Sequence, residues 1–271
     1  MGILEPTLTP FEGKVITVAG GSRGTGLATV KYLILRGATV SMSSSSPKGI
    51  AKAHAEVLQD CPGSEGRVMA MACDITKYED VQAWISETMK RFGRIDGCAN
   101  VSGKEQRRLF PIADFPLEDF NEIMQVNVNG LFHLLKEQMK VVSDGGSIVN
   151  VGSVCSHFSS PCYGAYIASK HAAAGLTKAA AFEGAPRNVR VNAVNPQSGT
   201  IDSEMTRRPF ELPGGHTFTP SAQTVPQLLK RMAEPEEIAA SVCFLLSDES
   251  KFVTKSEWQV DGGWLEGTLT G

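Results

Sequence analysis

The sequence predicts an α/β fold, a doubly wound parallel sheet of seven strands with helices on both faces. Three observations carry that prediction. Apolar, β-branched runs alternate with longer segments of helical periodicity from one end of the chain to the other. The first run passes through a glycine-rich turn directly into a helix pattern. No proline-, glycine- or charge-rich linker interrupts the alternation, so all 271 residues are expected to form one domain.

Residues 14–19 (KVITVA) read as the first strand and residues 25–36 as the helix that follows. Residues 38–43 and 67–73 read as the next two strands. Val81, Trp84, Ile85, Thr88 and Phe92 make the 3.6-residue stripe of a helix between Thr76 and Gly93. A fourth strand spans 95–99, and a long helical region covers 117–139. Residues 146–151 form a fifth strand, followed by an alanine-rich helix over 163–183. The sixth strand is 189–194. Pro235 suits a first helical turn, and Ile238, Val242 and Leu245 mark one face of a helix ending near Ser247, before a last strand at 258–260. Right-handed crossover helices are the economical return between parallel strands, which makes the sheet parallel and covers both faces. Residues 199–231 carry prolines and no clear periodicity, which is where a substrate lid or binding loop is expected.

Lysine and arginine total 26 against 29 acidic residues, and no basic run supplies a footprint for a polynucleotide, so no nucleic-acid partner is expected. No apolar stretch reaches membrane-spanning length and the first ten residues do not read as a signal peptide, so a cytoplasmic protein without a membrane partner is expected. The six cysteines form no C-x-x-C pair and read as reduced, mostly buried thiols. The five histidines are scattered, so no metal site is expected.

Two motifs carry chemistry. After the first strand comes Gly20-Gly21-Ser22-Arg23-Gly24-Thr25-Gly26, opening into a helix; glycines there let the backbone turn sharply and approach a pyrophosphate at the helix N-terminus. Tyr166-Ile167-Ala168-Ser169-Lys170 places a phenol and an ammonium four residues apart, on one helical face. Ser153 closes the fifth strand, at the carboxyl edge of the sheet where ligands of open α/β folds bind, so Ser153 and Tyr166 can share a pocket. An ammonium beside Tyr166 favours the phenolate and brings a phenol of ordinary pKa about 10 toward a useful range.

On these motifs, and on the late Pro235-Glu236-Glu237-Ile238-Ala239 and Val260-Asp261-Gly262-Gly263 segments, the chain resembles the short-chain dehydrogenases/reductases of the single-domain branch. The resemblance runs from Lys14 to Gly263 and implies a Rossmann-type fold and a nicotinamide cofactor. It implies a catalytic tetrad of Asn127, Ser153, Tyr166 and Lys170, with Asn127 positioning a water of the proton relay and Lys170 also holding the nicotinamide ribose. By the same resemblance Gly20, Ser22, Arg23, Gly24, Thr25 and Gly26 form the cofactor loop, Asp74 and Ile75 lie at the adenine, and Asn100 to Gly103 support the cofactor. Pro196, Ile201 and Ser203 would approach the nicotinamide. Ala19 stands where the family usually has threonine, Val101-Ser102 replaces Asn-Ala, and Gln197-Ser198-Gly199-Thr200 departs from the usual Asn-Pro-Gly continuation.

Ser44 occupies the position where NAD-preferring relatives carry aspartate, and no carboxylate lies between Gly37 and Ala55. With Ser45 beside it and Arg23 in the loop, the reading is NADP rather than NAD. The expected substrate is a ketone or secondary alcohol of a medium-sized, apolar small molecule, from Met205, Phe210, Leu212, Phe218, Cys155, His157 and Phe158 around the pocket. A redox-neutral dehydratase, epimerase or cyclase, or a non-catalytic cofactor sensor, are the alternatives. A homotetramer is expected, as in the family, through helices whose Ala172, Ala173, Ala174, Ala179, Ala180 and Ala181 would permit close approach. The stretch Cys98 to Gly103 is similar to fungal dehydrogenases of secondary metabolism.

Overall fold

The structure, a computed structural model, describes residues 9–197, 201, 207–221, 224 and 227–264. In chain order the main elements are β1 (Val15–Ala19), α1 (Gly24–Leu35), β2 (Thr39–Ser44), α2 (Pro47–Asp60), β3 (Val68–Ala72), α3 (Tyr78–Phe92) and β4 (Ile95–Asn100). There follow α4 (Leu117–Met124), α5 (Leu131–Val141), β5 (Val142–Val151), α6 (Gly164–Gly184) and β6 (Arg190–Pro196). A two-stranded antiparallel pair, β7 (Phe210–Glu211) and β8 (Thr217–Phe218), precedes α7 (Pro235–Leu246) and β9 (Glu257–Val260).

Seven of these strands form one parallel sheet in the order β3-β2-β1-β4-β5-β6-β9. The chain winds outward from β1 in one direction and from β4 in the other. The loops leaving β1 and β4 therefore diverge and open a crevice at the carboxyl ends of the strands, the place where such sheets bind ligands. On one face, Val30, Leu33, Ile50, Val57, Ile238 and Leu245 pack on the sheet; on the other, Trp84, Ile85, Leu134, Leu135, Ala173 and Ala180 do so. The strands buried between these layers read as near-continuous apolar runs for that reason.

Sequence and structure part at four places. Helix α2 occupies a stretch to which periodicity assigned nothing: its start is disguised by the serine run, whose last member, Ser46, caps the helix by accepting from the Gly49 amide at 3.0 Å, with Pro47 in the first turn. The helical region 117–139 is two helices separated by a wide π-turn, Gln125–Gly130. Part of the segment read as aperiodic is the β7–β8 hairpin. Four of the six α6 alanines proposed for subunit contact, Ala173, Ala174, Ala180 and Ala181, are buried within this chain's own fold, because the small side chains let α6 lie close on the sheet.

Candidate active site

Six loops at the carboxyl edge of the sheet enclose a cleft of about 270 Å³, lined among others by Gly20, Ser22, Arg23, Gly24, Thr25, Gly26, Ser44, Ser45, Asp74 and Ile75. Its other end is formed by Gly103, Glu105, Tyr166, Lys170, Pro196, Gln197 and Ile201. Almost every residue singled out for cofactor contact thus lies on one surface. Ser203 lies outside the described residues, as does Met205.

The glycine turn has the geometry of a cradle. Gly20 and Gly24 take left-handed backbone angles, φ 86° and 50°. A Cβ on Gly26 would lie 2.0 Å from the Gly20 carbonyl oxygen, and one on Gly20 would lie 2.8 Å from the Ser102 nitrogen. Close backbone approach at the start of α1 leaves amides directed at the cleft, the arrangement that binds a pyrophosphate. These residues fit a dinucleotide cofactor. Across the cleft floor the Ser22 hydroxyl hydrogen-bonds Ser44 at 2.8 Å, joining the turn to the end of β2. Asp74 accepts from the Thr76 amide at 3.1 Å and from its hydroxyl at 2.8 Å, which shapes the loop after β3.

The side chains of the expected tetrad come from three places. Tyr166 and Lys170 sit one turn apart on α6, both buried, with the Lys170 ammonium 5.5 Å from the centre of the Tyr166 ring and donating to the Val151 carbonyl at 3.2 Å. Burial lowers the Lys170 pKa to about 8, against the opposing pull of Cys155 and Glu105. Ser153 follows β5; its hydroxyl accepts from the Cys155 amide at 3.1 Å and caps the short turn Val154–Ser156. That cap holds the Ser153 side chain in one orientation. Asn127 lies in the π-turn, where its amide grips the Lys104 backbone at both ends, accepting from the nitrogen at 2.7 Å and donating to the carbonyl at 2.8 Å. Its nitrogen also reaches the Ser169 hydroxyl at 3.0 Å. A Cβ on Gly103 would come within 3.5 Å of Asn127 Oδ1 and 3.8 Å of Lys170 Nζ, so this glycine leaves the two side chains facing one small space.

Asn100 is placed differently from its neighbours Val101 to Gly103. Its side chain points into the protein, donating to Gln138 and to Asn150, both at 2.9 Å, while Asn150 donates on to Thr177 at 2.9 Å. This buried amide chain ties β4, β5, α5 and α6 together beneath the cleft, and Asn100 shapes the site from below.

Sequence reasoning overlooked Glu105 and Gln106. Helix α6 is preceded by Tyr163, which offers no side-chain cap; the Gln106 side-chain oxygen instead accepts from the Tyr166 amide at 3.2 Å. The Gln106 nitrogen donates to the carbonyls of Arg108 and Cys162 at 2.7 and 2.8 Å. Glu105 accepts from the Tyr163 hydroxyl at 3.0 Å and lies 2.7 Å from Arg107, which spans 4.7 Å to the Phe210 ring. Backbone bonds from Glu211 to Arg107 and from Leu109 to Glu211, both 2.8 Å, attach β7 to this segment. Phe210, Val154, Cys155, Tyr163 and Tyr166 make an apolar wall. His157 pairs with Glu257 at 2.7 Å, Phe158 packs edge-on to Trp264, and Phe218 is exposed.

Among the described residues no group of His, Cys, Asp or Glu could hold a metal ion, and no helix is long and apolar enough to cross a membrane. The family model for enoyl-(acyl carrier protein) reductases matches residues 19–265. The chain is 35% identical over 261 residues to the short-chain dehydrogenase/reductase ABA4 of Pyricularia oryzae, covering 95% of this chain and 94% of that one. It is 34% identical to a 2,5-dichloro-2,5-cyclohexadiene-1,4-diol dehydrogenase of Sphingobium indicum, over 95% and 99% of the two chains. The crystal structure of a Sinorhizobium meliloti dehydrogenase/reductase superposes with a TM-score of 0.82 at 30% identity, over 95% of this chain and 97% of that one.

Proposed function

The chain belongs to the short-chain dehydrogenase/reductase family, hydride-transferring oxidoreductases of nicotinamide cofactors, and from that premise we propose an NADP(H)-dependent enzyme that interconverts a ketone and a secondary alcohol. The observation that carries the reading is the meeting of Tyr166 and Lys170 with the glycine turn in one cleft.

A bound nicotinamide supplies or accepts the hydride. Ser153, held by its cap to Cys155, donates a hydrogen bond to the substrate oxygen. Tyr166 gives that oxygen a proton in reduction and removes one in oxidation. Lys170 stabilises the phenolate and binds the nicotinamide ribose, while Asn127 fixes the Lys104 backbone and the proton path beside it. Gly20, Ser22, Arg23, Gly24, Thr25 and Gly26 would hold the pyrophosphate and Asp74 and Ile75 the adenine, with Gly103, Pro196 and Ile201 available to the nicotinamide.

The preference for NADP rests on the end of β2. Ser44, Ser45 and Ser22 present hydroxyls, Arg23 is exposed at the start of α1, and the capped N-terminus of α2 adds a favourable dipole for a phosphate. An arginine–phosphate contact contributes about 1.5 to 3 kcal/mol, roughly ten- to a hundredfold in affinity. Titrating both cofactors calorimetrically is expected to show tighter NADPH binding, with Arg23→Ala losing about that factor for NADPH and little for NADH. Equal or tighter NADH binding by the wild type overturns the preference.

The apolar wall around Phe210 supports a medium-sized apolar substrate. The relative named for a cyclohexadiene diol makes cyclic secondary alcohols and ketones the first compounds to test. Nicotinamide absorbance during incubation with such a panel tests the reaction class: product without absorbance change would mean redox-neutral chemistry. A homotetramer assembled through α5 and α6 completes the reading.

A further inference from the structure

Glu105 is 5% exposed, at the catalytic end of the cleft, and the tetrad chemistry gives it no role. A carboxylate is retained in such a place only where charges and hydrogen bonds offset its lost hydration. Here the Tyr163 hydroxyl donates to one oxygen at 3.0 Å and Arg107 stands 2.7 Å from the other, near in distance though poorly aligned for a hydrogen bond. The Tyr163 ring lies 5.0 Å from the Tyr166 ring, and the Lys170 ammonium lies 5.5 Å from the centre of the latter. Burial raises the Glu105 carboxyl, opposed by Arg107, the Tyr163 hydroxyl and Lys170. The titratable and charged groups facing this cluster are Arg107 and Glu105 from the segment after β4, Cys155 from the turn after β5, and Tyr163, Tyr166 and Lys170 from α6. Neighbouring Lys104 is engaged with Glu122 at the surface.

We propose that Glu105 is a positioning residue whose carboxylate, fixed through Tyr163 and Arg107, keeps the Tyr166–Lys170 pair protonated and so arms it as a proton donor to a substrate carbonyl. The inference rests on Tyr166 and Lys170 being the proton-transfer pair. A negative charge beside the pair stabilises the ammonium and disfavours the phenolate; both effects retain protons. In reduction the carbonyl carbon takes a hydride from the reduced nicotinamide, which is oxidised. The carbonyl π pair moves onto oxygen, and that oxygen takes the Tyr166 proton. The phenolate left behind recovers its proton from solvent.

Glu105→Gln removes the charge and keeps an acceptor for Tyr163. The chain has four tyrosines, so ultraviolet difference absorbance between a protein and its Tyr166→Phe counterpart isolates the Tyr166 titration without substrate or turnover. In the Glu105→Gln background that titration is expected to move to lower pH by about one unit. The alkaline limb of the pH profile of kcat/KM for reduction should move with it, while Glu105→Asp stays near the wild type. Glu105→Ser, a second neutral variant with room for water, should repeat the acid shift if the glutamine variant does not fold. A Tyr166 titration that stays in place in a folded neutral variant overturns the inference. An acid shift in a protein that reduces no carbonyl upholds the charge coupling of Glu105 to the Tyr166–Lys170 pair and overturns the proposed oxidoreductase reaction instead.

Discussion

A phenol can serve as acid and base near neutrality only if its surroundings hold a charge that bulk water would screen, and here burial provides that condition. Tyr166 and Lys170 are both under a tenth exposed. Tyr166→Phe keeps the ring and its packing on Tyr163 and removes only the transferable proton. It is expected to bind cofactor normally and to lose turnover by about a hundred- to ten-thousandfold, measured by steady-state kinetics beside a binding titration. The lowered Lys170 pKa, coupled to the Tyr166 titration, sets the pH dependence. The ammonium is present below about 8 and lost above it, so kcat/KM for carbonyl reduction should fall as pH rises through that value. A profile flat to pH 10 would mean that Lys170 stays charged through some contact other than those seen.

Helices and turns position these groups by satisfying their backbones in specific ways. Helix α6 begins without a cap of its own, and Gln106, 1% exposed, supplies the acceptor to the very amide that precedes the Tyr166 side chain. Gln106→Leu would remove the side-chain acceptor of the Tyr166 amide and a donor to the Cys162 carbonyl, costing about 2 kcal/mol in denaturant unfolding. At the other end of the cleft the start of α1 depends on Gly26. An alanine there would meet the Gly20 carbonyl at 2.0 Å, far inside contact distance, so the turn must open. Gly26→Ala is expected to abolish binding of the nicotinamide cofactor in calorimetry while leaving the overall secondary-structure content seen by circular dichroism near the wild type.

Assembly is governed by which apolar side chains the fold leaves outside. With most of the α6 alanines turned inward, the surface of α5 and α6 presents Phe132 and Phe182, 49% and 66% exposed. Removing a phenylalanine of this exposure from water contributes about 1 to 2 kcal/mol per copy, repeated by symmetry across an interface. Light scattering at micromolar concentration is expected to give four times 29.0 kDa, and Phe182→Glu to give a smaller species. A wild-type monomer would leave these rings as isolated surface residues.

The alternation of strands and helices, the glycine turn and the Tyr166–Lys170 spacing were all legible in the chain, because each depends on neighbours within one turn or one strand. Those local patterns were enough to specify a parallel seven-stranded sheet, its ligand edge and the family. They did not reveal helix α2, since its serine cap also reads as a flexible stretch, nor the π-turn at Asn127, since a single wide turn inside a long helix has no residue signature of its own. The direction of the Asn100 side chain, the inward turn of Ala173 and Ala180, and the meeting of Glu105 and Gln106 with α6 depended on the folded arrangement. Glu105 and Tyr163 are 58 positions apart and Gln106 and Tyr166 are 60 apart, and no periodicity links them. A buried charge or amide acquires its role from the groups that surround it in space, and those are brought together only when the sheet closes under its helices.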